Sequence, residues 1–155
     1  MKAKIILASG VAAVLVLPPA MFLTTALRSE LGLGASLATL AAQYVGGKPN
    51  LGVVTGLGAA PLLLLGLCLW LLGRFGVEGG RLGLFAASGL APILAVILWV
   101  QLDYWPHFFP DRRYPGFPHG LELIIGPFVF APAGMALGLL TAWAVLSVKR
   151  PTASA

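Results

Sequence analysis

The side chains with the widest chemical reach in this sequence fall in one stretch, Asp103-Tyr-Trp-Pro-His-Phe-Phe-Pro-Asp-Arg-Arg-Tyr-Pro-Gly-Phe-Pro-His-Gly-Leu-Glu122. It holds both histidines of the chain and three of its five acidic residues. Asp103, His107, His119 and Glu122 are the candidates for catalysis, since imidazole and carboxylate together can move protons to and from a lipid headgroup. His107, His119 and Glu122 are also the candidates for holding a divalent metal such as zinc. His119 and Glu122 lie three residues apart and share a face if a helix begins at Pro118. The stretch has no HExxH-type spacing, so the expectation is that the protein carries no metal and no cofactor.

The same stretch also reads as a contact surface. It combines six aromatic residues with Pro106, Pro110, Pro115 and Pro118. Four prolines fix the backbone repeatedly and forbid a continuous helix, which predicts a stiff, turn-rich loop over 103–122. Tyr, Trp, Phe and Arg are the residues that anchor protein interfaces. On that basis Tyr104, Trp105, Phe108, Phe109, Arg112, Arg113 and Tyr114 are the expected partner-binding residues.

The elements that must carry this loop are set by composition. Of the 155 residues 59% are hydrophobic and only 10% charged, whereas soluble domains run near ~45–50% apolar and ~25% charged. That excludes a cytosolic globule and a disordered tail, and one cysteine, Cys68, excludes a disulfide framework. The chain reads as an all-α integral membrane protein, a four-transmembrane-helix bundle. About 20 apolar residues cross a bilayer, and the stretches that meet this test are 5–27, 51–73, 82–102 and 123–148. Within this single membrane domain an outer loop with a short interfacial helix covers 28–50, an inner loop 74–81, the aromatic outer loop 103–122 and a cytoplasmic tail 149–155.

Basic residues orient the bundle. One side holds Lys2, Lys4, Arg74, Arg81, Lys149 and Arg150 with one acid, Glu78. The other holds Arg28, Lys48, Arg112 and Arg113 with Glu30, Asp103, Asp111 and Glu122. The N- and C-termini are therefore expected in the cytoplasm. Lys2 and Lys4 ahead of an apolar run also fit a secretory signal cleaved after Thr24-Thr25-Ala26. The run is longer than the ~7–15 residues of a signal core, which favours a retained helix.

Within the spans, Pro18-Pro19, Pro61, Pro92, Pro127 and Pro132 read as ordinary membrane-helix prolines or as hinges. Gly52 and Gly56, Gly83 and Ala87, and Gly134 and Gly138 have the four-residue spacing of close helix contact. A faint likeness at an offset of 31 relates Leu51-Gly52, Gly58 and Pro61 to Leu82-Gly83, Gly89 and Pro92. In the 28–50 segment Ser36 is an expected cap, with Leu37, Leu40, Ala41 and Tyr44 on the apolar face and Thr39 and Gln43 towards water. None of the four stretches contains an ionisable residue or a histidine, which argues against proton-coupled export and haem ligation.

These readings lead to one expectation and two alternatives. The first is a small, non-catalytic accessory subunit or interaction protein of the bacterial cytoplasmic (inner) membrane, binding a membrane-protein partner or a second copy through the outer loop. The alternatives are a headgroup-modifying or metal-dependent enzyme at the outer face, and an oligomeric small transporter. Membrane lipids are expected partners and nucleic acid is not, since no dense basic run exists.

Overall fold

A computed structural model describes residues 2–29, 31–46, 50–108 and 120–148, with the backbone alone at 107 and 108. The elements are α1 (Lys2–Arg28), α2 (Leu33–Val45), α3 (Leu51–Arg74), α4 (Gly79–Phe108), α5 (Glu122–Ile125), a π-helical turn (Gly126–Phe130) and α6 (Ala131–Val148). No strand occurs among the described residues. Among the described residues four helical stretches are long and apolar enough to cross a membrane: Lys2–Arg28, Leu51–Arg74, Gly79–Pro106 and Glu122–Val148. The last joins α5, the π turn and α6 into one fourth span.

Helix α4 is the centre of the molecule. It touches α1, α3 and the whole fourth span, while α1 and the fourth span make no close backbone approach to each other. Accordingly 44% of the 18-residue apolar stretch of the α4 span is buried, against 22% for that of α1 and 28% for that of the fourth span. The buried face of α1 is a stripe at steps of four, Gly10, Val14, Pro18, Phe22 and Ala26, the ridge spacing of interlocking helices. The outward faces carry Leu15, Val16, Leu63, Leu137 and Leu140, each more than half exposed. Apolar surface on this scale is unfavourable in water and natural in lipid.

Two glycines decide how closely α4 and α6 meet. A Cβ at Gly138 would overlap the Ser88 carbonyl, and one at Gly134 would come 3.0 Å from Pro92 Cβ. The Gly134–Gly138 pair is therefore a helix contact within the chain. Gly56 faces open space instead.

The structure corrects the expected loop after the third span. Helix α4 does not stop at 102 but runs through Asp103, Tyr104, Trp105 and Pro106 to Phe108. A single proline removes one hydrogen bond and bends a helix, and neighbouring packing can hold the turns on either side. Helices α1 and α3 likewise continue through Pro18-Pro19 and Pro61.

Helix α2 is also turned over relative to expectation. Ser36 and Gln43 are its buried residues, and Leu33, Leu37 and Tyr44 are exposed. Ser36 caps nothing; it lies inside the helix and donates to the Leu31 carbonyl at 3.3 Å. In a membrane protein the apolar face is free to meet lipid, so the polar face turns to the protein. Asn50 then ties α2 to α3, donating to the Tyr44 carbonyl at 3.1 Å and accepting from the Val53 N–H at 3.2 Å.

Candidate functional site

Buried polarity gathers at one end of the bundle. Among the described residues the buried polar side chains are Ser36, Gln43, Gln101 and Glu122, all at the end where α1 leads into α2 and α4 leads towards α5. The Gln43 Oε1, Thr55 Oγ1 and Glu122 Oε2 atoms have no hydrogen-bond partner. Apolar bundles do not bury such atoms without reason, because each lost hydrogen bond is a desolvation cost with no return.

Glu122 and Asp103 line the same cavity, about 160 Å³ in volume, together with Trp99, Ile125 and Phe130. Trp99 and Asp103 are four apart on α4 and so share a face. On the fourth span Glu122 and Ile125 are three apart, again one face. Phe130 needs a different explanation. Five residues of ordinary α-helix would carry it roughly 140° round from Ile125, away from the cavity. The π turn closes that gap, since its i to i+5 bonding brings residues five apart into line. Its signature bond is the Ala131 N–H donating to the Gly126 carbonyl.

The cause of the π turn is legible in two prolines, Pro127 inside it and Pro132 just past it. Pro127 and Pro132 are five apart, and each lacks the N–H that an α-helix would aim four residues back. Gly126 opens the turn and packs closely on α4, because a Cβ there would overlap the Val100 side chain. Wide turns of this kind recur at functional sites.

Within the cavity Glu122 Oε1 accepts the Gly120 N–H at 3.3 Å, while Oε2 stays unpartnered. The Glu122 side chain is 7% exposed. Trp99 and Phe130 meet edge to face, centroids 5.9 Å apart and planes at 69°. Both rings are half exposed, and they also border a shallow open hollow with Ala95 and Val96 on the flank of the bundle. The cavity thus joins two carboxylates to an aromatic wall that opens sideways.

Of the four catalytic candidates, the structure brings Asp103 and Glu122 together. The His107 side chain and all of His119 lie outside the described residues, so the metal set of His107, His119 and Glu122 does too. Among the described residues no three His, Cys, Asp or Glu side chains cluster.

The expected contact surface changes character. Trp105 is fully buried and Tyr104 nearly so, because the helix that continues past 102 turns both rings inward. Trp105 donates its indole N–H to the Gln101 Oε1, and Tyr104 lies edge-on to it at 5.0 Å. These two are core residues. The Phe108 side chain, Phe109, Arg112, Arg113 and Tyr114 lie outside the described residues.

Sequence reasoning missed Trp99, Ile125 and Phe130 because they read as lipid-facing residues of a span. The spacing of Pro127 and Pro132 was the available signal. The helices extend beyond the apolar stretches 5–27, 51–73, 82–102 and 123–148, which hold no charged residue or histidine: Asp103 lies in the last turns of α4 and Glu122 opens α5.

Comparison with protein-family models, with curated proteins and with solved structures returned no match.

Proposed function

We propose that the protein is integral to a bacterial cytoplasmic membrane, with both termini in the cytoplasm, and binds a small ligand at the outer membrane boundary through the Asp103–Glu122 cavity. The orientation is supported by charge: Lys2, Lys4, Arg74 and Arg81 crowd one end, Asp103 and Glu122 the other. A reporter fused after Arg113 tests it, with activity expected on the periplasmic side only.

The observation that carries the binding function is the Glu122 carboxylate, more than nine-tenths buried, with one oxygen unpartnered, in the wall of a cavity. An intramembrane ionisable group of this kind is the usual mark of a functional site. Of the classes open from sequence, this is nearest to a protein that holds or modifies a lipid headgroup at the outer face. Dicyclohexylcarbodiimide, which reacts with carboxyl groups reached from an apolar phase, tests the reading. Mass spectrometry is expected to find the label on Glu122, and Glu122→Gln is expected to remove it. Labelling elsewhere with none at Glu122 would exclude this site.

A second reading, a small accessory subunit that holds a membrane partner or a second copy, is supported by a different observation. Gly52 and Gly56 lie exposed on α3, and Gly56 has nothing within 4 Å of where a Cβ would stand. Purification in mild detergent with mass spectrometry of co-purifying proteins tests it; a lone monomer would remove it.

A further inference from the structure

We infer that the cleft between α3 and α6 at the basic end of the bundle binds an anionic phospholipid, with an acyl chain in the cleft and the headgroup phosphate on Arg81. The cleft lies at the opposite end from Asp103 and Glu122 and does not depend on the reading of that cavity. It exists because α3 and α6 each pack on α4 and approach each other little. Buried Phe85 of α4 is its floor. Cys68, Leu72 and Phe75 line one wall, and Leu140 and Trp143 the other.

The two ends of the cleft differ in chemistry. Its apolar part, about 350 Å³, follows α3 from Cys68 to Phe75, a rise of ~10 Å at 1.5 Å per residue. That length of apolar wall suits a run of methylenes. Beside it lies a second hollow of about 270 Å³, and Leu72, Phe85 and Trp143 border both. The second hollow is also lined by Arg81, an exposed residue that immediately precedes the uncharged stretch 82–102. Its guanidinium therefore stands where apolar helix gives way to headgroups. A guanidinium can give a phosphate two parallel N–H bonds. An apolar tail below an anionic head uses both ends of the cleft.

Charge complementarity selects the headgroup. Glu78 is the one acid of the 74–81 turn, set against Arg74 and Arg81, and the sequence continues past Ser147, at the edge of the second hollow, into Lys149 and Arg150. The surplus favours an anionic lipid over a zwitterionic one. The two arginines are not equivalent. Arg74 lies over the Trp70 ring, 5.4 Å from its centroid. Each of that pair is two residues from Leu72, which puts both roughly 160° round α3 from the cleft wall. Arg81 is the cation of the cleft, and Arg74 serves as its control.

The experiment uses the full chain in maltoside micelles and reads the rate at which N-ethylmaleimide labels Cys68, the one cysteine of the sequence. The probes are phosphatidylglycerol, phosphatidylcholine with the same acyl chains, and glycerol phosphate. Phosphatidylglycerol at ten times its Kd is expected to slow labelling about tenfold, because labelling reads the unoccupied fraction. Phosphatidylcholine is expected to slow it far less. Arg81→Gln is expected to keep the unprotected rate and lose most of the protection, whereas Arg74→Gln keeps both. Equal protection by the two lipids, or by neither, overturns the inference. Protection lost equally in the two arginine variants assigns it to general surface charge, and protection by glycerol phosphate assigns a free anion; either result overturns it. Slowing that follows protein concentration and no lipid gives the cleft to a second copy of the chain and overturns it too. So does a Cys68 that stays unlabelled without added lipid.

Discussion

Trp105 of α4 meets Phe22 of α1 edge to face, with ring centroids 5.1 Å apart and planes at 87°. Both rings are fully buried, and the pair joins the two helices beside the acidic end. Trp105→Ala is expected to destabilise the bundle by ~3–5 kcal/mol, the usual cost of deleting a large buried ring. Trp105→Phe keeps the ring contact and leaves the Gln101 oxygen without its donor, at a smaller cost of ~1–3 kcal/mol. Unfolding in detergent measures both, and equal losses for the two variants would show that the indole N–H, not the ring, matters.

Gly138 and Gly56 have the same sequence signature and opposite surroundings. Gly138→Ala forces a methyl into the Ser88 carbonyl and is expected to cost ~1–3 kcal/mol as α4 and α6 separate. Gly56→Leu projects into open space and should leave the melting temperature of the monomer nearly unchanged. If the accessory-subunit reading holds, that same variant loses the co-purifying partner.

Pro127 and Pro132 are expected to act through Phe130. Replacing both with alanine restores two backbone donors and favours ordinary α-helix through 126–132. Phe130 then rotates off the cavity face. The double variant is expected to keep Glu122 reactive to carbodiimide and to change the rate of that labelling, because Phe130 no longer lines the cavity. An unchanged labelling rate would separate the wide turn from the site.

Cys68 gives an independent check on the opposite end. It lines an open apolar groove of about 350 Å³ between α3 and α6, with Leu72, Phe75, Phe85 and Trp143. A membrane-permeant maleimide is expected to label it in native membranes, and an impermeant one is not. Labelling by both would place this groove in water.

The spans were legible because a bilayer demands an apolar run whatever the helix neighbours are, and Leu51–Arg74 ends one residue from where hydropathy alone stops it. The faces were not. The stripe of Leu37, Leu40 and Tyr44 looks like a core face in a soluble protein, but Leu37 and Tyr44 point outward here, and buried Ser36 and Gln43 form the inward one. Nothing in the local sequence distinguishes Gly56 from Gly138, since the difference is the Ser88 carbonyl across the contact. Asp103 and Glu122 were visible as candidates from residue type. Phe130 was not, because its place depends on one wide turn that shifts helical register.

The central position of α4 has a consequence for how the chain assembles. A ring of four helices can dock pairwise in the order of synthesis, each newcomer finding its neighbour already in place. Here α1 has its main neighbour two spans later, so after insertion most of its Gly10–Ala26 stripe waits in lipid until α4 emerges. The fourth span in turn has its main docking surface on the opposite flank of the same helix. The late-made α4 is the keystone. A chain arrested before residue 79 would hold α1, α2 and α3 without the helix that α1 packs against most, and those are the forms a membrane protease would meet first.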